Sequence, residues 1–186
     1  GLITSADVPA GWTPSKPSDS RGKAYPGVKG CTQLGKNVDA LRTAAPHKLS
    51  RTFTDATSSH ELTAASNAVY AFKTSGAATK LLNGFKVTGA TTCLTNVAKR
   101  SGGKGTNAST TEISSPLGSP DDFVGYQVSL SGKDQSGATV TAILDIYVAR
   151  VGRALVAFSL SNPETALTQA PAIVSAVIGR LRAANA

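Results

Sequence analysis

The sequence predicts an α+β fold: an antiparallel β-sheet of about five to six strands, with helices packed on one face. Three observations predict it. The C-terminal half holds three segments rich in apolar and β-branched residues, "DFVGYQVSLSG", "ATVTAILDIYVAR" and "RALVAFSLS". A polar loop around Gly137 and a tight turn at Val151–Gly152 separate them, which reads as a three-strand meander. Helical spacing appears only at fixed places between and after strands, so the strands are joined by hairpins rather than by regular crossovers. Finally, 186 residues of 40% hydrophobic composition suffice for one core, so residues 1–186 read as a single domain.

The elements follow in order. "TSADVPAGW" reads as a short capped turn anchored by Val8 and Trp12. Residues 13–30, "TPSKPSDSRGKAYPGVKG", form an extended lead-in too rich in Pro, Gly, Ser and Lys to pack a core. "GKNVDALRTAAP" is a short helix with Val38 and Leu41 on one side and Pro46 at its end. Residues 49–56 and 62–73 read as strands, the second placing Ala64, Ala68, Tyr70 and Phe72 on one face. Ser75 then caps a long helix carrying Ala78, Leu81, Leu82, Phe85, Cys93, Leu94 and Val97 near one side. Gly84 and Gly89 each weaken it by about 1 kcal/mol, which favours a kink or break between them. "KRSGGKGTNAST" reads as an exposed loop. After the meander, Asn162 and Pro163 carry the marks of a helix start, and Pro171 breaks or restarts that segment. "APAIVSAVIGRLRAA" then buries Ile173, Val174, Val177, Ile178 and Leu181, with Arg180 and Arg182 at the negative end of its dipole.

Composition narrows the function classes. The formal charge of +8, from 19 basic and 11 acidic residues, suits contact with anions such as phospholipid heads or cell-wall polymers. The basic residues are scattered, and only 5% of residues are aromatic, so no nucleic-acid interface is expected. No apolar run approaches the roughly 18 residues of a spanning helix. The chain has no Met and opens without a basic or apolar leader, so a leader, tail or larger upstream region is expected to have been removed.

The residues that could carry chemistry do not assemble into a catalytic pattern. His47 and His60 lie beside loops, with no nucleophile at a recognisable elbow. The adjacent Asp121 and Asp122 point in opposite directions on an extended chain. "SGGKGT" resembles the end of a phosphate loop, but Ala98 stands where its first Gly belongs and Gly105 where its hydroxyl belongs. "SGGK" (101–104) and "KTSG" (73–76) echo two elements of penicillin-recognising enzymes, in reversed order; "SRGK" (20–23) lies in the lead-in. Cys31, Cys93, His47 and His60 lack metal-ligand spacing. Hence no catalytic residue, no metal and no cofactor is expected. "NAS" at 107–109 is a formal glycosylation sequon.

The two cysteines, Cys31 and Cys93, are an even count, which favours one disulfide and an oxidising compartment. Two separate buried thiols are the alternative, since free Cys packs as a small hydrophobe.

A strand ending "AVYAF", then "TSGAATKLL", then a helix bearing a Cys resembles the extracellular sensor domain family of mycobacterial PknH-type Ser/Thr kinases, which includes stand-alone lipoproteins. "ARVGRALVAFSLSNPETALTQAPAIVSAVIGRL" is similar to that family's final strand pair and closing helix, and "ADVPAGW" resembles the start of many actinobacterial lipoproteins. The resemblance implies an antiparallel sheet with flanking helices, a cleft for an extracellular ligand, no catalysis, and a Cys31–Cys93 disulfide. The family's second Cys pair is absent here: neither the loop near Lys104 nor the turn near Gly152 holds a Cys.

The meander offers a place for a ligand. One face reads as apolar: Val124, Tyr126, Val128, Val140, Ala142, Leu144, Ile146, Val148, Val156, Phe158 and Leu160, and should carry the helices. The other mixes Phe123, Gln127, Ser129, Ile143, Asp145, Tyr147, Leu155 and Ser159. Apolar walls with a few polar groups suit a pocket, while a half-covered or solvated sheet face is the plainer reading. Gln127, Asp145 and Tyr147 are the expected ligand contacts. Together these readings point to a non-enzymatic extracytoplasmic sensor or ligand-binding domain, secreted or surface-anchored. Its partner would be a small molecule, a lipid or an anionic envelope component, with a membrane tether upstream of residue 1. A carrier of lipid or another hydrophobic ligand is the alternative, and a cell-wall hydrolase the third.

Overall fold

In the computed structural model, residues 1–17, 23–44, 46–55, 63–133 and 136–185 are described; His60 and part of the lead-in lie outside them. The elements are β1 (Trp12–Pro14), α1 (Thr32–Ala44), β2 (His47–Leu49), β3 (Phe53–Asp55), β4 (Ala64–Ala71), α2 (Ser75–Asn83), α3 (Ala90–Gly102), β5 (Asn107–Glu112), β6 (Asp122–Lys133), β7 (Thr139–Val151), β8 (Ala154–Pro163) and α4 (Ala170–Asn185). The strands form one eight-stranded sheet in the order β1-β3-β4-β8-β7-β6-β5, with β2 also paired to β4. Every pairing is antiparallel, so the expected α+β class stands with more strands than expected.

The additional strands have local causes. The strand expected over 49–56 divides into β2 and β3 at Ser50, which is buried. The Asn67 N–H donates to the Ser50 hydroxyl at 2.7 Å and the Ser50 N–H to the Asn67 carbonyl at 2.8 Å, so a side chain replaces one rung of the ladder. The stretch expected as a loop over 99–110 instead ends α3 and begins β5. β5 is polar throughout apart from Ala108, and its pairing to β6 over Asn107–Glu112 makes it an edge strand.

The β7–β8 hairpin corrects the expected faces. Val151 pairs with Ala154 across a two-residue turn, where Gly152 takes a left-handed φ of 58°. This register puts odd residues of β7 opposite even residues of β8: Tyr147 meets Phe158 and Ala149 meets Val156. Val156, Phe158 and Leu160 therefore share a core with Tyr147, while Leu155 packs with Tyr126, Val128 and Val148.

Both sheet faces are thus built into cores. One core joins the sheet to α1, α2 and α3 through Leu34, Leu41, Ala78, Leu82, Phe85, Cys93 and Leu94. The other joins it to α4 through Ile173, Val174, Val177, Ile178 and Leu181, all five buried as the helical spacing requires, and to Ile3 and Val8 of the N-terminal turn. Asp7 fixes that turn by accepting from the Thr4 N–H at 2.8 Å and clamps it to α4 through Arg180 at 2.7 Å. Asn162 does not open a helix: β8 continues to Pro163, and α4 starts at Ala170. Pro171 sits in the first turn of α4, where its missing N–H costs nothing.

The long helix expected after Ser75 is two helices. Thr74, rather than Ser75, caps α2 by accepting from the Ala77 N–H at 3.2 Å. The chain breaks over Gly84–Gly89 and restarts as α3. Cys93, in the first turns of α3, is bonded to Cys31, immediately before α1, with both residues buried. In the chain-entropy picture, a bond of sequence separation 62 stabilises by about 4 kcal/mol.

Candidate functional site

The α2–α3 elbow and the ends of β5 and β6 enclose a cleft of about 620 Å³. The elbow forms one wall. The Gly84 N–H closes α2 onto the Leu81 carbonyl and the Phe85 N–H onto that of Leu82, and the side-chain amide of Asn37 on α1 donates to the Gly84 carbonyl. Phe85 then turns into the core, and its carbonyl accepts from the Tyr126 hydroxyl at 2.8 Å, anchoring the elbow to β6. Burial and the nearby Glu112 raise the pKa of Tyr126, so it stays a neutral donor.

Beyond Phe85 the cleft becomes polar. Lys86 meets Asp122 at 2.7 Å across its rim. Burial pushes the Asp122 carboxyl up, but Lys86 and the Phe123 N–H outweigh it and hold it below the usual value. Gly89, at φ 88°, makes the left-handed turn into α3, which few L side chains tolerate. No side chain caps α3, so its positive end opens beside Thr88 and Thr91.

The facing wall comes from Glu112, Ile113, Ser114 and Gly125. The Ile113 N–H donates to the Gly125 carbonyl at 2.9 Å, extending the β5–β6 ladder. Gly125 is required by crowding: a Cβ there would stand 2.9 Å from the Tyr147 ring and 3.0 Å from Ile113. The cleft therefore sets Lys86 and the α3 terminus against Glu112, with Val87, Ile113, Phe123 and Val124 as apolar wall. Next to it, Tyr25, Val38, Phe85 and Ile146 line an apolar chamber of only about 50 Å³.

The expected contacts Gln127, Asp145 and Tyr147 lie on the α4 side of the sheet. Gln127 and Asp145 are brought together, with the Gln127 amide donating at 3.0 Å to a buried carboxylate. Burial raises the Asp145 pKa, and the Gln127 bond only partly offsets it. Tyr147 has no accessible surface; its ring stacks on Phe123 at 5.5 Å and lies 6.2 Å from Phe158. Its hydroxyl accepts from the Leu117 N–H at 3.1 Å and donates to the Leu117 carbonyl at 3.3 Å. Burial pushes its pKa up to about 12, against the Leu117 bond. The mixed face, expected as a pocket or a half-covered or solvated surface, is thus closed at Tyr147 by α4 and Leu117. Sequence reasoning missed the cleft because backbone turns build it, and Gly84, Gly89 and Gly125 were its only local signal.

Among the described residues no group of three or more His, Cys, Asp or Glu is placed to hold a metal ion. None of the cleft residues is His or Cys, and Lys86 is paired to Asp122. Among the described residues no helix is long and apolar enough to cross a membrane.

Comparison with known proteins bears on the fold. No protein-family profile matches the chain, and no curated protein matches it in sequence. Among solved structures, the extracellular domain of PknH from Mycobacterium tuberculosis is similar, with a TM-score of 0.57 and 14% identity. The match covers 98% of this chain and 93% of that one, so the whole chain shares that domain's fold.

Proposed function

We propose that this chain is a non-enzymatic, extracytoplasmic sensor or ligand-binding domain, with the α2–α3 cleft as its site. One observation carries the reading: the cleft has the size of a small-molecule site and gathers Lys86, Thr88, Thr91, Glu112 and Ser114 around apolar walls, with no His or Cys in its lining. The buried disulfide supports an oxidising compartment, and the similar solved structure is itself an extracellular domain. A surface anchor or tether outside this sequence fits the same reading.

The charge arrangement suits a small envelope component that carries an anionic or strongly accepting group toward Lys86 and α3, and a donor toward Glu112. The carrier alternative is less well supported, because the apolar chamber of about 50 Å³ is far below the few hundred cubic ångströms a bound hydrophobic molecule occupies. The hydrolase alternative is less well supported, because the cleft lining holds no His or Cys and Lys86 is held by Asp122.

Amide NMR spectra with three separate probes, inorganic phosphate, N-acetylglucosamine and a short-chain phosphatidylinositol, test the proposal. At least one should move the amides of Thr88–Thr91 and Ile113–Ser114 in a saturable way. Lys86→Ala should weaken that probe, while Gln127→Ala should leave it unchanged. If all three leave the cleft amides still, or act equally on Lys86→Ala, the assignment of the site fails.

A further inference from the structure

β5 is one edge of the sheet and β1, with the three-residue β2 beside β4, the other, and the two edges are finished differently. β1 is three residues long and ends in Pro14, which has no N–H to offer; shortness and proline are standard protections of an edge. β5 runs six residues with no Pro, Lys or Arg. Because the Ile113 N–H points to Gly125, the period of two turns the backbone groups of Thr111, Ser109 and Asn107 toward β6. Those of Ala108, Thr110 and Glu112 face outward, and none of the three has a backbone partner among the described residues.

Charge brackets this edge. The Thr95 and Thr110 hydroxyls meet at 2.9 Å, so α3 lies over the face to which Thr110 and Glu112 point. Thr91 and Glu112 share the cleft, so α3 runs against the direction of β5, and Lys99, one turn beyond Thr95, lies toward Ala108. Lys99 and Glu112 are exposed, stand at opposite ends of the strand, and form no ion pair among the described residues.

We infer that β5 pairs antiparallel with β5 of a second copy, about a two-fold axis at Thr110. This edge is self-complementary. Glu112 of each copy comes opposite Ala108 of the other, beside its Lys99, making two reciprocal ion pairs. The residues 108, 110 and 112 exchange their outward backbone bonds. Both copies keep α3 on the same side, and Lys99 of the second copy reaches the rim of the cleft at Glu112. The pairing stands on the edge alone, whether or not the cleft takes a small molecule. One strand pair with a helix rim is a small interface, so the association is expected to be weak and concentration-dependent.

Sedimentation velocity from micromolar to millimolar protein, with amide hydrogen exchange at both extremes, tests this. The wild type should move from monomer toward dimer, with added protection at Ala108, Thr110 and Glu112. Glu112→Lys should weaken association roughly tenfold, since two symmetric pairs reverse at once, and adding Lys99→Glu should restore it. Thr110→Pro should abolish it while sparing the β6 ladder, which does not use that N–H. A monomer at every concentration overturns the inference. So does a dimer indifferent to Glu112→Lys, or one whose three edge amides exchange as fast as in dilute protein. Should Thr110→Pro fail to fold, the charge pair and the exchange data still decide.

Discussion

On the α4 face, Tyr147, Phe158 and Phe123 form a run of ring contacts beneath Ile173, Val174 and Val177. Three arginines fasten the surroundings: Arg180 to Asp7, and Arg150 and Arg182 to Asp121. On the opposite face the helices are short, broken over Gly84–Gly89 and joined by one disulfide. Val38, Leu81, Val97, Leu144 and Ile146 there are only partly buried, and Val38 and Ile146 line the small chamber next to the cleft. The difference separates two tasks. A face that holds the sheet together devotes its area to close packing, whereas the face that we propose as the ligand site keeps backbone turns and unfilled volume.

The largest effect should come from breaking the packed face. Phe158→Ala removes a fully buried ring between Tyr147 and the α4 core and should cost roughly 3–5 kcal/mol in denaturant unfolding. Every slowly exchanging amide should lose protection together. If only the α4 amides loosen, the two cores unfold separately and the α4 face is not the common frame.

Next comes the staple of the open face. Replacing Cys31 and Cys93 together by Ala should cost about 2–4 kcal/mol and lower the melting temperature by roughly 10 °C. In contrast to Phe158→Ala, exchange should quicken first in α1 and α3 and leave α4 protected. Equal loosening of both faces would remove the distinction between them.

The sequence was readable where one physical signal acted alone. β6 and β7 alternate over more than ten residues, and α4 repeats its apolar residues at helical spacing, so both were visible. β8 was visible as a strand but not in phase: "ALVAFSL" is apolar at both parities, because Leu155 serves one core and Val156 the other. β5 carried no hydrophobic signal beyond Ala108, and its pairing is fixed by β6, not by its own composition. The cysteine count allowed a disulfide but could not distinguish it from two buried thiols; folding brings the two Cα atoms to 4.7 Å. Gln127, Asp145 and Tyr147 read as ligand contacts on a mixed face because nothing local announces that Leu117 lies at the Tyr147 hydroxyl and that Tyr147 joins the α4 core.

A smaller test concerns the clamp between the N-terminal turn and α4. Burial pushes Asp7 up, but Arg180 and the Thr4 donors outweigh it and lower its pKa from 3.8. Its stabilising effect is therefore full above the unfolded value and is lost as the pH falls through the lowered folded one. Asp7→Asn should cost about 1–2 kcal/mol at neutral pH, tempered because the Arg180 side chain is 40% exposed and screened. The variant and the wild type should converge in acid. A gap that persists at low pH would assign the clamp to packing rather than charge.

The smallest effect has the opposite sign and lies on the same face. Asp145 is buried with one described donor, Gln127, and its pKa is raised from 3.8. A carboxyl whose folded pKa lies above the unfolded one opposes folding once both states are ionised. That opposition is complete above the raised folded value and vanishes below the unfolded one. Asp145→Asn keeps an oxygen that can accept from Gln127 while removing the charge. It should stabilise by about 0.5 kcal/mol at neutral pH, at the low end for single stabilising changes. The gain should shrink to nothing as the pH falls toward and below 3.8, as urea midpoints at several pH values would report. Destabilisation at neutral pH would mean that the ionised carboxylate contributes to the packed face, and that this face holds a charge for a purpose other than cohesion.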